Sequence, residues 1–259
     1  MTATGYEPLC TLKPVADGLW LIDGPPVLHR RIPYPTRATV VRLASGDLWV
    51  HSPTALGDSL RRELEAEGPV AHLVAPNAAH VTHLPAWRAA WPDARVWAAP
   101  EADVDGAEAL RPDGAEPAWD GQLDQIVVRA GPKLSEAAFF HRPSRTLILT
   151  DLIEAHETRH HKPWVRPLIW FAGTDDNAAH MRPRYRWSLR AADKARLADD
   201  IEVLLGWGPK RLILGHGRSY DGDARRVLEY AFRKILNARR WERAYDDHRR
   251  KAGEEEGAG

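Results

Sequence analysis

The chain has 259 residues, enough for one large domain with a substantial core, and its 36 basic and 36 acidic residues give a formal net charge of zero. That balance excludes a whole-molecule electrostatic binder of nucleic acid or membrane and leaves only a local patch for such a role. The single cysteine, Cys10, excludes an internal disulfide and a cysteine-rich zinc site.

The opening residues, Met1 to Leu12, show no basic stretch followed by an apolar core, so a cytoplasmic setting is expected. Leu19 to Gly24 reads as a short strand ending in a turn, and Pro25, Pro26, Pro33 and Pro35 then break the pattern. Ala38–Leu43 and Leu48–His51 are apolar runs around Ser45-Gly46-Asp47, a hairpin signal. Leu56, Leu60 and Leu64 predict a helix that Gly68-Pro69 stops near Glu67. Val70–Ala75 is a short buried strand ended by Pro76 and Asn77. A helix follows from about His83 to Trp91, and then a strand from Arg95 to Ala99. The stretch Pro100–Asp120 reads as loop.

Ile126–Arg129, Glu136–His141 and Thr146–Thr150 are three further strands. Ala155–Arg190 is irregular and rich in Arg, His and Trp. A helix is predicted from Ala191 to Leu205, and a strand, Arg211–Leu214, leads into Gly215-His216-Gly217. A long helix covers Asp223 to about Arg250, with a disordered tail from Ala252 to Gly259. Two strand-rich blocks, each followed by helices, predict two sheets packed face to face with helices outside. No run reaches the roughly 18 apolar residues that span a bilayer. The 11 tryptophans are read as packing units.

Three features carry chemistry: His80-Val-Thr-His83, Thr150-Asp151 and Gly215-His216-Gly217. Each follows a predicted strand, where ligand-binding groups gather in open α/β sheets. Imidazole and carboxylate are the donors that zinc and iron accept in mixed sites. Taken singly, a loop histidine is more often a structural hydrogen-bonder, and an aspartate after a strand more often a cap.

In order and context, the three features resemble the metallo-β-lactamase superfamily. Its motif is His-x-His-x-Asp-His after a strand, then a separate His, then a bridging Asp ending a strand, and a final His in a Gly-His-Gly-like turn. In this chain Ala78 stands at the first position, His80 and His83 at the second and fourth histidines, and Thr82 at the motif aspartate. Pro132, in Gly131–Ser135, stands where the separate His would be. Asp151 matches the bridging aspartate and His216 the final histidine. The resemblance runs from about Leu19 to Tyr220 and points to a divergent branch. It implies an α/β fold, a four-layer αβ/βα sandwich over residues 1–222. Residues 155–190 would be an Arg/Trp-rich insertion and 223–259 a terminal helix with its tail.

What the resemblance implies for the site is an uneven loss. One metal position would keep only His80. The other would keep His83, Asp151 and His216, with His80 near enough to join, and would lack the carboxylate at Thr82. Glu136 and Asp176 are candidate replacements. The expectation is one zinc or iron ion on His80, His83, Asp151 and His216, with Asp151 and His83 serving catalysis on an ester or phosphoester. Two alternatives stay open: a pseudoenzyme without metal that binds a small ligand or a protein partner, and a nucleic-acid-processing or RNA-binding protein acting through the Arg/Trp segment. The segment reads either as a solvated basic loop or as a lid over the site. The neutral balance favours a small anionic molecule over a nucleic acid.

Overall fold

A computed structural model describes residues 6–29, 32–132, 134–160, 163–172 and 179–257. The apolar strands settle into two sheets. The first holds β1 (Lys13–Ala16), β2 (Leu19–His29), β3 (Ile32–Arg42), β4 (Leu48–His51), β5 (Val70–Ala75), β6 (Arg95–Ala98) and β7 (Glu108–Ala109), side by side in chain order. The second holds β8 (Leu123–Arg129), β9 (Ser135–His141), β10 (Thr146–Leu149), β11 (Arg211–Leu214) and β12 (Tyr220–Asp221), ordered β12-β11-β10-β9-β8.

Helices α1 (Asp58–Glu67) and α2 (Leu84–Ala90) link the parallel strands β4, β5 and β6. Between the parallel pair β10 and β11 the chain makes a 3-10 turn at Thr158–His160, then α3 (Arg166–Ala172), α4 (Pro183–Arg186) and α5 (Ala191–Gly206). Helix α6 (Ala224–Gly257) ends the chain. Among the described residues no helix is long and apolar enough to cross a membrane.

Three apolar layers result, as a face-to-face sandwich requires. Between the sheets lie Trp49, Trp97, Trp119 and Phe139, in mostly edge-to-face contact, with Val74, Ile148 and Ile213. Leu60, Leu64 and Trp87 cover the outer face of the first sheet. Leu197, Ile201, Leu228 and Phe232 cover the outer face of the second. The packing role expected of tryptophan holds for these residues, whereas Trp164, Trp170, Trp187 and Trp241 are exposed.

Several expectations change. Pro33 and Pro35 lie within β3, the Pro100–Asp120 stretch read as loop contains β7, and the irregular stretch Ala155–Arg190 contains α3 and α4. The prolines after Gly24 do not end β2: the ladder slips between Gly24 and Val27 and then continues to His29. A bulge lets Pro25 and Pro26 pass without donating to the ladder. The tail expected to be disordered from Ala252 is helical to Gly257. It contains no proline, and its Ala and Glu residues have high helix propensity.

The sheets are tied together by one buried cation. Arg37, on β3, donates from Nε to Asp23 Oδ1 of β2 at 2.9 Å, and from Nη1 to the carbonyls of Leu214 (2.6 Å) and Gly217 (2.8 Å). Asp23 also receives Lys13 Nζ at 2.8 Å. Replacing Arg37 with methionine leaves a buried carboxylate on Lys13 alone and removes the donor from two carbonyls. The expected loss is about 3 kcal/mol, read as a lowered urea midpoint. Asp23→Leu added to Arg37→Met recovers part of it. An unchanged midpoint is the contrary result.

Candidate metal centre

Parallel strands point their C-terminal ends the same way, so the segments after β4, β5, β10 and β11 meet at one edge of the sandwich. Asp151 sits at the turn after β10 and is 1% exposed. That turn is fixed from behind by Glu136 of β9, which is fully buried. Its carboxylate accepts the backbone N–H groups of Thr150 (2.6 Å), Asp151 (2.5 Å) and Leu152 (2.9 Å). Burial, followed by the Asp151 charge, pushes Glu136 up to about 7 against those donors. Glu136, weighed from sequence as a replacement ligand, therefore holds backbone instead. The other candidate, Asp176, lies outside the described residues.

Four side chains converge on Asp151. Asn77, just past β5, donates Nδ2 to Oδ2 at 3.0 Å, and its own Oδ1 receives the N–H groups of Ala79 and His80. His80 Nε2 lies 3.3 Å from Oδ2, and His216 Nε2 lies 3.4 Å from Oδ1. Arg182 Nη2 lies 3.0 Å from Oδ1. Burial works to raise the Asp151 pKa. The charge of His80, hydrogen bonds from both histidines and the Arg182 guanidinium outweigh it and hold the carboxyl well below its usual range.

The far sides of both imidazoles are engaged. His216 Nδ1 is 2.7 Å from the Pro35 carbonyl, which can only accept, so Nδ1 carries the hydrogen. Ser52 gives its one proton to the Arg37 carbonyl at 3.0 Å, so at 2.6 Å His80 Nδ1 donates to Ser52 Oγ. In the neutral rings both Nε2 atoms then present lone pairs towards Asp151. Such a set calls for a cation between them, either protons or one metal. For His216, burial opposes protonation, but the Asp151 hydrogen bond and charge outweigh it and raise the pKa. A second partner on the outer nitrogen is also how metal-bound histidines are oriented. The ligand atoms of His80, Asp151 and His216 all lie within 4.8 Å of one another, so the residues fit one divalent ion.

His83 stands apart from this cluster. It precedes α2, its Nε2 is buried without a hydrogen-bond partner, and burial lowers its pKa. It lines the same cavity, of about 610 Å³, together with Val27, Leu28, Tyr34, Pro53 and Thr82. Ala78 and Pro132 line a separate cavity of about 270 Å³ that shares Ala79 and Asp151 with the first. Neither of those two side chains offers a donor atom there.

The Arg/Trp-rich segment supplies what sequence reading missed. Arg182 was only one basic residue among many there, yet it also pairs with Glu154 and lies 4.8 Å from the Tyr34 ring centre. Glu154 in turn meets His156 at 3.1 Å. Tyr34 packs edge-on against His156 and His216. The segment is seated by bridges from Glu154 to His180 and from Ala155 to Gly217. Gly217 has a φ of +86°, and a Cβ there would meet the Ala155 carbonyl oxygen at 2.0 Å, so the close approach requires glycine. His161, Lys162 and Asp175 of this segment lie outside the described residues. Asn77 and Ser52 carried no sequence signal beyond ending a strand.

A family described as a domain of unknown function (DUF4336) matches residues 16–102, the stretch that carries Ser52, Asn77, His80 and His83. No curated protein matches the chain in sequence. Solved structures do match. The DIM-1 metallo-β-lactamase exposed to ceftazidime aligns with a TM-score of 0.58 at 10% identity, over 88% of this chain and 96% of its own. The metallo-β-lactamase FIM-1 from Pseudomonas aeruginosa, in its mono-zinc form, aligns at 0.57 with 12% identity, over 87% and 96%. A metallo-β-lactamase from Pontibacter korlensis aligns at 0.57 with 11% identity, over 87% and 98%. The chain has the metallo-β-lactamase fold, at 10 to 12% identity to these structures.

Glu154 provides a pH signature. Burial would raise its pKa, but Arg182 and then His156 pull it down to about 2. A depressed carboxyl stabilises the fold above its unfolded pKa, and that stability fades as pH falls from the ordinary carboxylate range towards 2. Urea unfolding of the native chain and of Glu154→Gln should therefore differ most at neutral pH and converge in acid. A constant gap across that range contradicts the assignment.

Proposed function

We propose that the chain is a hydrolase-like protein that uses a single zinc or iron ion, held by His80, Asp151 and His216, on an ester or phosphoester. The observation that carries this reading is the convergence of those three ligand atoms within 4.8 Å at the floor of a cavity of about 610 Å³. Three protein donors leave a position open for water or substrate, the arrangement of catalytic rather than structural sites. An ion bound there polarises a carbonyl or phosphoryl oxygen and acidifies water.

The surrounding residues have separable roles. Pro35 and Ser52 fix which nitrogen of each imidazole faces inward. Asn77 and Arg182 hold the two oxygens of Asp151. His83 stands on the cavity wall, where burial lowers its pKa and favours the neutral imidazole. Val27, Leu28, Tyr34 and Pro53 offer an apolar wall for the organic part of a substrate. Arg182 already shares its charge between Asp151 and Glu154, which favours an uncharged ester over a small anion such as a phosphoester.

A second reading has its own support. The Arg182–Asp151 pair neutralises the carboxylate without any metal, as a ligand-binding protein that has lost turnover would retain. Metal content separates the two. Protein purified without chelators should carry about one equivalent of zinc or iron, and His216→Ala should lose it while still folding. It should also hydrolyse 4-nitrophenyl acetate faster than 4-nitrophenyl phosphate. Less than about a tenth of an equivalent, with no binding in a zinc titration, leaves the second reading standing.

A further inference from the structure

Two cavities share Ala79 and Asp151 as a common wall. Of the two, only the larger is lined by His80, His83, Arg182 and His216. The smaller, of about 270 Å³, is walled by the turn after β5, the turn between β8 and β9, Glu101 beyond β6 and Tyr185 of α4. Its room has a plain origin in residue type. Ala78 and Ala79 carry only a methyl group, and Pro132 has no polar side-chain atom. Gly131 holds a φ of +82°, which residues with side chains rarely adopt, so that corner stays bare.

Size sets the first limit on an occupant. An apolar cavity of about 150 Å³ holds benzene, so this one admits a single ring with a short arm. Leu134 and the buried Tyr185 offer apolar and aromatic surface for that ring. Charge sets the second limit. Among the described residues, the charged side chains lining the cavity are Glu101 and Asp151, both acidic. Glu101 is half-exposed and pairs loosely with Arg129, at 3.9 Å, so it repels an anion. Arg182 beside Asp151, and the ion proposed there, disfavour an ammonium from behind the shared wall. An uncharged group remains. Ser135, also in the lining, has its hydroxyl buried without a hydrogen-bond partner among the described residues, which is costly. Its oxygen has three staggered positions, and a partner in the cavity favours one that faces it. A ligand hydroxyl can donate to Glu101 and accept from Ser135.

We propose that the smaller cavity binds an uncharged single-ring alcohol, the leaving half of an ester whose acyl half occupies the larger cavity. The ester rests on the hydrolase reading, whereas the alcohol rests on the cavity alone. The scissile bond then lies over the wall that the two cavities share, beside Asp151. Water adds to the acyl carbon, the bond from that carbon to the alcohol oxygen breaks, and the alcohol takes one proton of the water. The acid stays in the larger cavity and the alcohol in the smaller.

Isothermal titration of the full chain with benzyl alcohol tests this, first in EDTA and then with zinc added. A dissociation constant of about 1 mM is expected in both, as befits so small a ligand. Benzoate should bind at least about tenfold more weakly. Ala78 is exposed, so substitutions there keep the fold, which an unchanged melting temperature checks. Ala78→Gly should leave the constant within about twofold, and Ala78→Leu should raise it at least about tenfold as the added carbons fill the cavity. No binding at about 10 mM benzyl alcohol, equal binding of benzoate, or a constant indifferent to the Ala78 substitutions overturns the proposal. Zinc uptake without alcohol binding also overturns it and leaves the hydrolase reading in place. Alcohol binding without zinc uptake upholds the cavity and overturns the hydrolase reading.

Discussion

The burial of one carboxylate organises this molecule. Asp151 has lost its water, and an ionised carboxylate without compensation is costly in a protein interior. Its compensation comes from every direction. Asn77 and His80 come from beyond β5 in the first sheet, His216 from beyond β11 in the second, and Arg182 from the segment between β10 and β11. Remove that charge and there is little reason for four distant stretches of chain to meet at one sheet edge.

Holding these groups in place takes a second set of buried polar contacts. Glu136 grips the three N–H groups around Asp151, so the carboxylate sits on a rigid turn. Arg37 clamps the carbonyls on either side of the His216 loop, and its own backbone carbonyl receives Ser52, which supports His80. The cluster is thus supported by both sheets, and neither histidine can turn without breaking a hydrogen bond behind it. Such a shell is what keeps a small site well placed.

Ala78 and Pro132, which the sequence pattern sets at two ligand positions, line a cavity to which neither contributes a donor atom. The surviving donors regroup differently from the pattern. His80 joins Asp151 and His216, while His83 lies on the cavity wall. Arg182 takes a place beside Asp151 that no motif specifies.

Much of this was legible in the amino-acid order. Apolar runs ended by turn residues located β4, β5, β6, β9, β10, β11 and both long helices, because burial and backbone freedom are local properties of residue type, whereas the short strands β1, β7 and β12 carried no such run. The positions of His80, Asp151 and His216 after strands pointed to one edge, because parallel strands carry their ends together. What tertiary structure alone decided was the set of contacts between residues far apart in the chain. Glu136 and Asp151 are both buried carboxylates, yet one holds backbone N–H groups and the other faces imidazoles. Arg182 and Arg186 belong to the same basic segment, yet one is drawn into the centre and the other lies exposed. No spacing distinguishes them, because a side chain's role in a low-dielectric interior is set by the partners that reach it.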